Sequence, residues 1–347
     1  MIADGLKMTT YLGERDRGGG RFLADAVTDI YARHELQTSV LLRGAEGFGA
    51  RQHLRTDRLL SLSEDLPLVS VAVDARPRIE AALADVTALA GQRLVTLERA
   101  RLLSGRLDEA PEPGPAGQDV KLTVYVGRHE RAGGRPAYEA VVDLLHHRGV
   151  AGATVLLGVD GTAHGVRHRA RFFGRNVGVP LMVIAVGDRA RIAGVLPELA
   201  SLVERPLVTL ERVRVCKRDG RRIAEPQPVD DPDPSLPGAW QKLMIYAGEQ
   251  SRHAGHPLHH LLIRRLRTAG AAGATNLRGI WGYHGDHRPH GDTLWQLRRR
   301  VPIVCVVIDT PERIRDWYAI VDELTDETGL VTSEVVPTLL SAGAAPR

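Results

Sequence analysis

Apolar and polar residues alternate over positions 6–12, with Leu6, Met8, Thr10 and Leu12 on one side of the alternation and Lys7, Thr9 and Tyr11 on the other. A period of two predicts a strand with two unlike faces. Over positions 20–34 the period lengthens, and Phe22, Leu23, Ala26, Val27 and Ile30 form the apolar stripe of a helix. Residues 38–43 and 68–74 read as two further strands. A second helix follows directly, with Asp74 as its predicted cap, and LVTLERARLL from Leu94 reads as a fourth strand.

The same succession occurs three times. KMTTYLGERDRGGGR (7–21), KLTVYVGRHERAGGR (121–135) and KLMIYAGEQSRHAGH (242–256) open three copies of one unit, and LVTLER stands letter for letter at 94–99 and 207–212. Repetition on this scale fixes the reading of the whole chain. The predicted caps of the second helix in the later copies are Asp188 and Asp309 or Thr310. Each copy reads strand, helix, strand, strand, helix, strand, the order of a ferredoxin-like βαββαβ unit. The expected fold class is therefore α+β, with three tandem ferredoxin-like units. The expected divisions are unit 1 at 1–103, a linker at 104–119, unit 2 at 120–216, a linker at 217–239, unit 3 at 240–340 and a tail at 341–347. Both linkers are rich in Pro, Gly and acid, a composition that buries no core. A ferredoxin-like sheet covered by helices on one side leaves its other side bare. The Lys and Tyr side of each first strand is expected on that bare face, and three such faces would shield one another in an intramolecular pseudotrimer, so the chain is expected to act as a monomer.

Composition narrows the classes. Of 347 residues 43% are hydrophobic and only 4% aromatic, so Leu, Val, Ala and Ile must build the core. No apolar run approaches the roughly 18 residues of a spanning helix, and nothing resembles a signal peptide, which leads to the expectation of a soluble cytoplasmic protein. Cys216 and Cys305 sit at non-equivalent places in apolar runs and read as reduced, inert thiols. The formal charge is +4 with acids and bases interspersed, which argues against a specific nucleic-acid surface.

Several patterns carry candidate chemistry. Arg17, Gly19, Gly20 and Arg21 precede the first helix, with Arg131, Gly134 and Arg135 and then Arg252 as counterparts. Glycines and cations at a helix N-terminus suit a phosphate or carboxylate, although a plain turn would use the same residues. After the second strand come Arg43, Gly44, Gly47 and Gly49, echoed by Gly158 and Gly161 and by Gly279 and Gly282. These glycines predict a fixed turn ahead of a responsive loop, or else an ordinary connection. The chain holds four lysines, and Lys7, Lys121 and Lys242 occupy one equivalent place, as do Glu98, Glu211 and Glu334 on the fourth strand. A cross-strand Lys–Glu pair at the seam between units is the preferred reading, with a ligand contact as the alternative. Seven of fourteen histidines, at 253, 256, 259, 260, 284, 287 and 290, fall in the third copy. His256 and His260 are spaced to share a helix face, which would suit a borderline metal, although no recognised ligand spacing is completed. No nucleophile, base and acid recur together, so a binding role is expected rather than an enzyme, and the residues themselves mark no certain cofactor.

The motifs YLGERDRGGGR, LLRGAEGFG, LSEDLP and LVTLER of the first copy resemble the bacterial PII-like family catalogued as domain of unknown function 190 (UPF0166-type), and the other two copies look like more divergent members. The resemblance implies ferredoxin-like units grouped in threes. It also implies a small effector, an adenine nucleotide in many relatives, held in clefts between units, with the loop after the second strand contacting ligand and partner. A membrane transporter or channel is the partner class it implies, relatives being associated with a fluoride-exporter type of channel. The expected function is a sensor or regulator of this kind. A metal-binding or metal-tolerance protein and a ligand-free scaffold are the competing readings.

Overall fold

The computed structural model describes residues 2–49, 52–56, 65–105, 107, 119–163, 165–169, 178–226, 239–284, 289–291 and 301–339. In the first copy the long strands are Ile2–Gly13, Thr38–Arg43, Pro67–Ala75 and Val95–Ser104, with helices α1 (Leu23–Arg33) and α2 (Arg76–Ala90). The second copy has strands Asp119–Gly127, Gly152–Ala163, Pro180–Asp188 and Leu207–Arg218, with α3 (Ala137–His147) and α4 (Arg189–Leu202). The third has Ala239–Gly248, Ala274–Arg278, Pro302–Asp309 and Leu330–Leu339, with α5 (Leu258–Ala269) and α6 (Pro311–Leu324). Among the described residues no helix is long and apolar enough to cross a membrane.

The strand pairing corrects the expected fold class. Three ferredoxin-like PII-like units assembled as a pseudotrimer would keep three sheets; among the described residues the long strands of all three copies join one 18-stranded sheet, and six short helices lie outside it. Eight strands close into an antiparallel barrel. The circuit runs through the fourth, first, third and second strands of copy one, crosses to the second, third, first and fourth of copy two, and returns. Copy three is stitched to both through Arg214–Arg218 against Leu330–Ser333, Gly152–Val155 against Trp281–His284, and Glu46–Asn276. The physical reason is that an open strand edge is a row of unpaired donors and acceptors. Periodicity along a copy defines its strands but says nothing of which edge each one meets.

Packing follows the two faces of the first strands. Leu6, Met8 and Leu12 join α1 and α2 in one apolar cluster, Leu122, Val124 and Val126 join a second, and Leu243, Ile245 and Ala247 a third. A fourth cluster, with Val40, Val71, Tyr125, Met182, Met244 and Val306, draws on all three copies and fills the space between them. Of the expected caps, Asp188 accepts from the N–H groups of Ala190 and Arg191, whereas the other two helices have Ala75 and Thr310 at the cap position without a side-chain cap bond, and Asp74 and Asp309 instead accept from Gln37 and Ala272 outside the helices. The strand Leu207–Arg218 runs into the stretch expected as a linker and turns back through Arg221–Arg222. Most of the other linker residues, with the tail, lie outside the described residues.

The repeated glycines after the second strands are crossing points between copies. A Cβ on Gly47 would lie 2.6 Å from the carbonyl oxygen of Ala274, on Gly161 2.1 Å from that of Ser39, and on Gly282 2.2 Å from that of Ala153, each in the neighbouring copy. Gly44 and Gly279 sit as tightly on Pro67 and Pro302, both 2.7 Å away, and Gly158 on the carbonyl oxygen of Pro180 at 2.5 Å. Of the residues expected to shape a responsive loop, Gly47, Gly158, Gly161 and Gly282 lie in inter-copy strands, Gly44, Gly49 and Gly279 stand just outside them, and most of the segment after Gly49 lies outside the described residues. Replacing Gly161 with Ala should cost about 2–4 kcal/mol in urea unfolding, because the added methyl meets backbone. Gly49, with nothing within 4 Å, should accept Ala within about 0.5 kcal/mol.

Candidate functional site

The first-strand lysines and fourth-strand glutamates are register partners, Lys7 with Glu98, Lys121 with Glu211 and Lys242 with Glu334. Their side chains point to the uncovered face, where the copies meet, and all six are buried. Each ammonium binds its own copy's carboxylate, at 2.6 Å for Lys7, 2.8 Å for Lys121 and 3.2 Å for Lys242. Each also binds the next copy's: Lys7 reaches Glu211, Lys121 reaches Glu334 at 2.6 Å, and Lys242 reaches Glu98 at 2.6 Å. The result is a closed ring of six alternating charges with no net charge. Lysine suits it because a compact ammonium donates in three directions, whereas a flat guanidinium would not fit between two converging strands.

Burial opposes every charge in the ring, and the neighbours decide the outcome. Burial disfavours ionised Glu98, but Lys242, Lys7 and Lys121 outweigh it and hold its carboxyl well below the usual range. Glu211 is held low in the same way, chiefly by Lys121 and Lys7. For Lys121 the attraction of Glu211, Glu334 and Glu98 overcomes burial and raises it well above the ordinary lysine value. Lys242 contacts two carboxylates rather than three, and burial together with the ammoniums of Lys121 and Lys7 leaves it lowered. Glu98, Glu211 and Glu334 bring their oxygens within 4.8 Å of one another, as metal ligands would. The three ammoniums already occupy that arrangement, so it reads as a structural charge lock.

The other sequence-marked residues do not converge. Arg17, Gly19, Gly20 and Arg21 form a small hairpin, with Gly19 and Gly20 at φ 59° and 82°, the two successive positive values of a type I′ turn. Gly133 and Gly134 repeat it at 57° and 82°, as do Ala254 and Gly255 at 48° and 79°. The first helical N–H is taken by the chain itself, Leu23 donating to the carbonyl of Asp16 at 2.8 Å. Arg17 stacks on Phe22, Arg21 pairs with Asp29, Arg135 with Asp143 and Arg43 with Glu14, and Arg252 donates to the carbonyl of Gly255. Arg131 is exposed on the second hairpin. The glycines thus serve the turn.

The histidines also separate. His256 stands exposed on a hairpin ahead of α5 rather than sharing its face with His260, which instead contacts Glu46 of copy one. His284 and His290 line the seam between copies two and three, and His287 lies outside the described residues. That seam encloses a cavity of about 50 Å³, lined by Arg218 and Ala151–Thr154 from copy two and by Tyr246 and Gly282–His284 from copy three. Arg218 is one of these lining residues, and its Nε is buried without a hydrogen-bond partner. Sequence reasoning missed Arg218 because it falls in the expected linker and has no repeated counterpart.

Fold and site together define a three-copy β protein closed around a buried ring of charge. A family model, DUF190, described as Uncharacterized ACR, COG1993, matches residues 5–102, 119–215 and 240–338, and the chain belongs to that family. A UPF0166 protein of Aquifex aeolicus (strain VF5) is 33% identical over 95 residues, 27% of this chain and 88% of that protein. A crystal structure of aspartate kinase from Synechocystis overlaps 97% of this chain and 52% of its own at 11% identity, but a TM-score of 0.25 carries no argument.

Removing one member of the ring should be far worse than removing a balanced pair. Lys121→Met leaves buried carboxylates short of a counter-charge and should cost about 3–5 kcal/mol, while a Lys121→Met, Glu334→Gln double variant should recover part of that loss in a double-mutant cycle. The lowered carboxyls of Glu98 and Glu211 contribute stability above their unfolded value of about 4.5, and it is lost as pH falls through their folded values. Denaturation midpoints should therefore drop steeply below about pH 4.5, and less steeply in a variant lacking the ring.

Proposed function

We propose that the protein is a non-catalytic, ligand-responsive regulator whose effector is a small anion bound in the seam between copies two and three. Arg218, which lines that cavity and whose buried Nε has no hydrogen-bond partner, carries the reading. A buried cationic donor without an acceptor costs about 1–3 kcal/mol or more, and an oxyanion or carboxylate oxygen would satisfy it. Size favours a small effector: a water needs roughly 10–15 Å³ by this measure and drug-sized ligands about 300–1,000 Å³, so about 50 Å³ suits a small anion and excludes a nucleotide unless the seam opens. The family resemblance supports effector binding between copies. The seam also offers a means of response, since Gly282–His284 is both cavity wall and inter-copy strand. An anion that fits one arrangement of that strand better than another shifts the balance between them.

Thermal-shift titration with phosphate, acetate and adenine nucleotides tests the reading. Stabilisation by a small anion, growing with concentration and abolished in Arg218→Met, is expected, with about 2.7 kcal/mol gained at a hundred times Kd. No stabilisation by any of them, or stabilisation that survives Arg218→Met, would overturn it.

A further inference from the structure

The seams set equivalent backbone positions side by side and fill them differently. Between copies one and two, Thr38 lies opposite Ala163 and Ser39 opposite Thr162. Their hydroxyls close the gap: Thr38 donates to the carbonyl of Thr162 at 3.0 Å, and Thr162 donates to the hydroxyl of Ser39 at 3.0 Å. Between copies two and three the same register positions hold Gly152 opposite His284 and Ala153 opposite Tyr283. Neither of these copy-two residues carries a hydroxyl, and Tyr283 spends its own on the carbonyl of Val150 at 2.7 Å. On the other side, the first strand of copy three has Ala247 where copies one and two have Leu12 and Val126. Small residues on both sides leave the cavity of about 50 Å³ that Arg218 lines.

The walls decide what such a cavity holds. Ala153, Ile184 and Val186 of copy two and Ala247, Pro302 and Leu330 of copy three give it an apolar lining. Among the described lining residues the fixed charges are Arg218 and Asp219, one of each sign. The cost of taking an ion out of water rises as the square of its charge, so a dianion meets a penalty that one guanidinium, offset by a carboxylate, does not repay. A monocarboxylate carries a single charge, and its two oxygens match the parallel N–H groups of a guanidinium fork, of which Nε provides one. An alkyl end suits the apolar remainder of the wall. Volume sets the length: at roughly 10–15 Å³ for each water-sized group, about 50 Å³ holds about three to five non-hydrogen atoms, the range from formate to propionate.

We propose that the seam between copies two and three selects a short-chain monocarboxylate, with its charged end on Arg218 and its alkyl end against the apolar wall. The proposal rests on the anion reading of this cavity and adds the chemical class of the anion. Desolvation rejects oxyanions of higher charge, and the length of the cavity rejects longer chains. Each methylene that fits without strain tightens binding roughly fourfold. A bound molecule touches Arg218 of copy two and the Ala247 and Leu330 wall of copy three together, so it bridges the copies and holds the seam closed. Where Thr38, Ser39 and Val126 stand at the equivalent places, hydroxyls and a larger side chain take that space, so one carboxylate per chain is expected.

Isothermal titration calorimetry of the full chain with formate, acetate, propionate, valerate and sulfate, at constant ionic strength, tests the proposal. Calorimetry reads binding itself, whereas sulfate stabilises folded chains merely by exclusion from their surfaces. Affinity should rise from formate to propionate and fall at least tenfold at valerate. Sulfate should bind at least tenfold more weakly than acetate, and Arg218→Met should abolish all binding. Ala247→Val, which gives copy three the side chain that copy two has there, should weaken propionate at least fivefold and formate less; this split decides if Arg218→Met fails to fold. Sulfate binding as tightly as acetate, affinity that is flat from formate to valerate, or propionate affinity unchanged in Ala247→Val would overturn the carboxylate assignment and leave the anion reading standing. No binding by any of the five would overturn both.

Discussion

Three lysines and three glutamates, buried where three copies of one unit meet, set the constraint that the remaining structure obeys. Each charge is satisfied only if its own strand pair is in register and both neighbouring copies are in place. Slipping one strand by a residue would turn its charge into a helix-side core and leave its partners uncompensated. Such a ring adds little net stability over apolar residues of the same shape, since desolvation offsets much of the attraction. Its contribution is to penalise every arrangement but one.

Around that centre the copies are joined by strands rather than by docking of finished domains. Glycines are required where a segment of one copy passes over the backbone of the next, and the distances at Gly47, Gly161 and Gly282 leave no room for a side chain. Backbone pairing fixes position and direction at each seam while leaving the side chains beside it free to vary. Copy one and copy two meet through Asp160, whose carboxylate binds Arg167, itself paired with Asp25 and Asp29. Copy one and copy three meet through Glu46 and His260, and copy two and copy three enclose a cavity beside Arg218. A single chain with three copies can thus hold three different seams, which a trimer of identical chains cannot.

Much of this was legible. The period-two and longer apolar patterns locate the strands and helices of every copy, and the scarcity of lysine marks Lys7, Lys121 and Lys242 as special. Their register with Glu98, Glu211 and Glu334 follows from neighbouring strands in one copy. The glycine content of two loops left two readings open. Gly19 and Gly20, read as a phosphate cradle or a plain turn, form a hairpin turn, and Gly47, read as part of a responsive loop or an ordinary connection, lies in an inter-copy strand. In each case sequence shows that a side chain is excluded but not whether a ligand, a positive φ or another strand excludes it. Arg218 left no repeated signal at all.

By itself the sequence determined three copies, their elements, and which face of each first strand carries charge, because those depend on periods and repeats within about a hundred residues. The tertiary structure alone decided that the strands merge into one closed sheet, that each lysine serves two copies, and that the seams differ. Those outcomes rest on contacts between residues more than a hundred positions apart, such as Lys7 with Glu211 and Lys121 with Glu334. No local pattern encodes which open edge a strand will meet; the free energy of pairing all edges and all buried charges at once does.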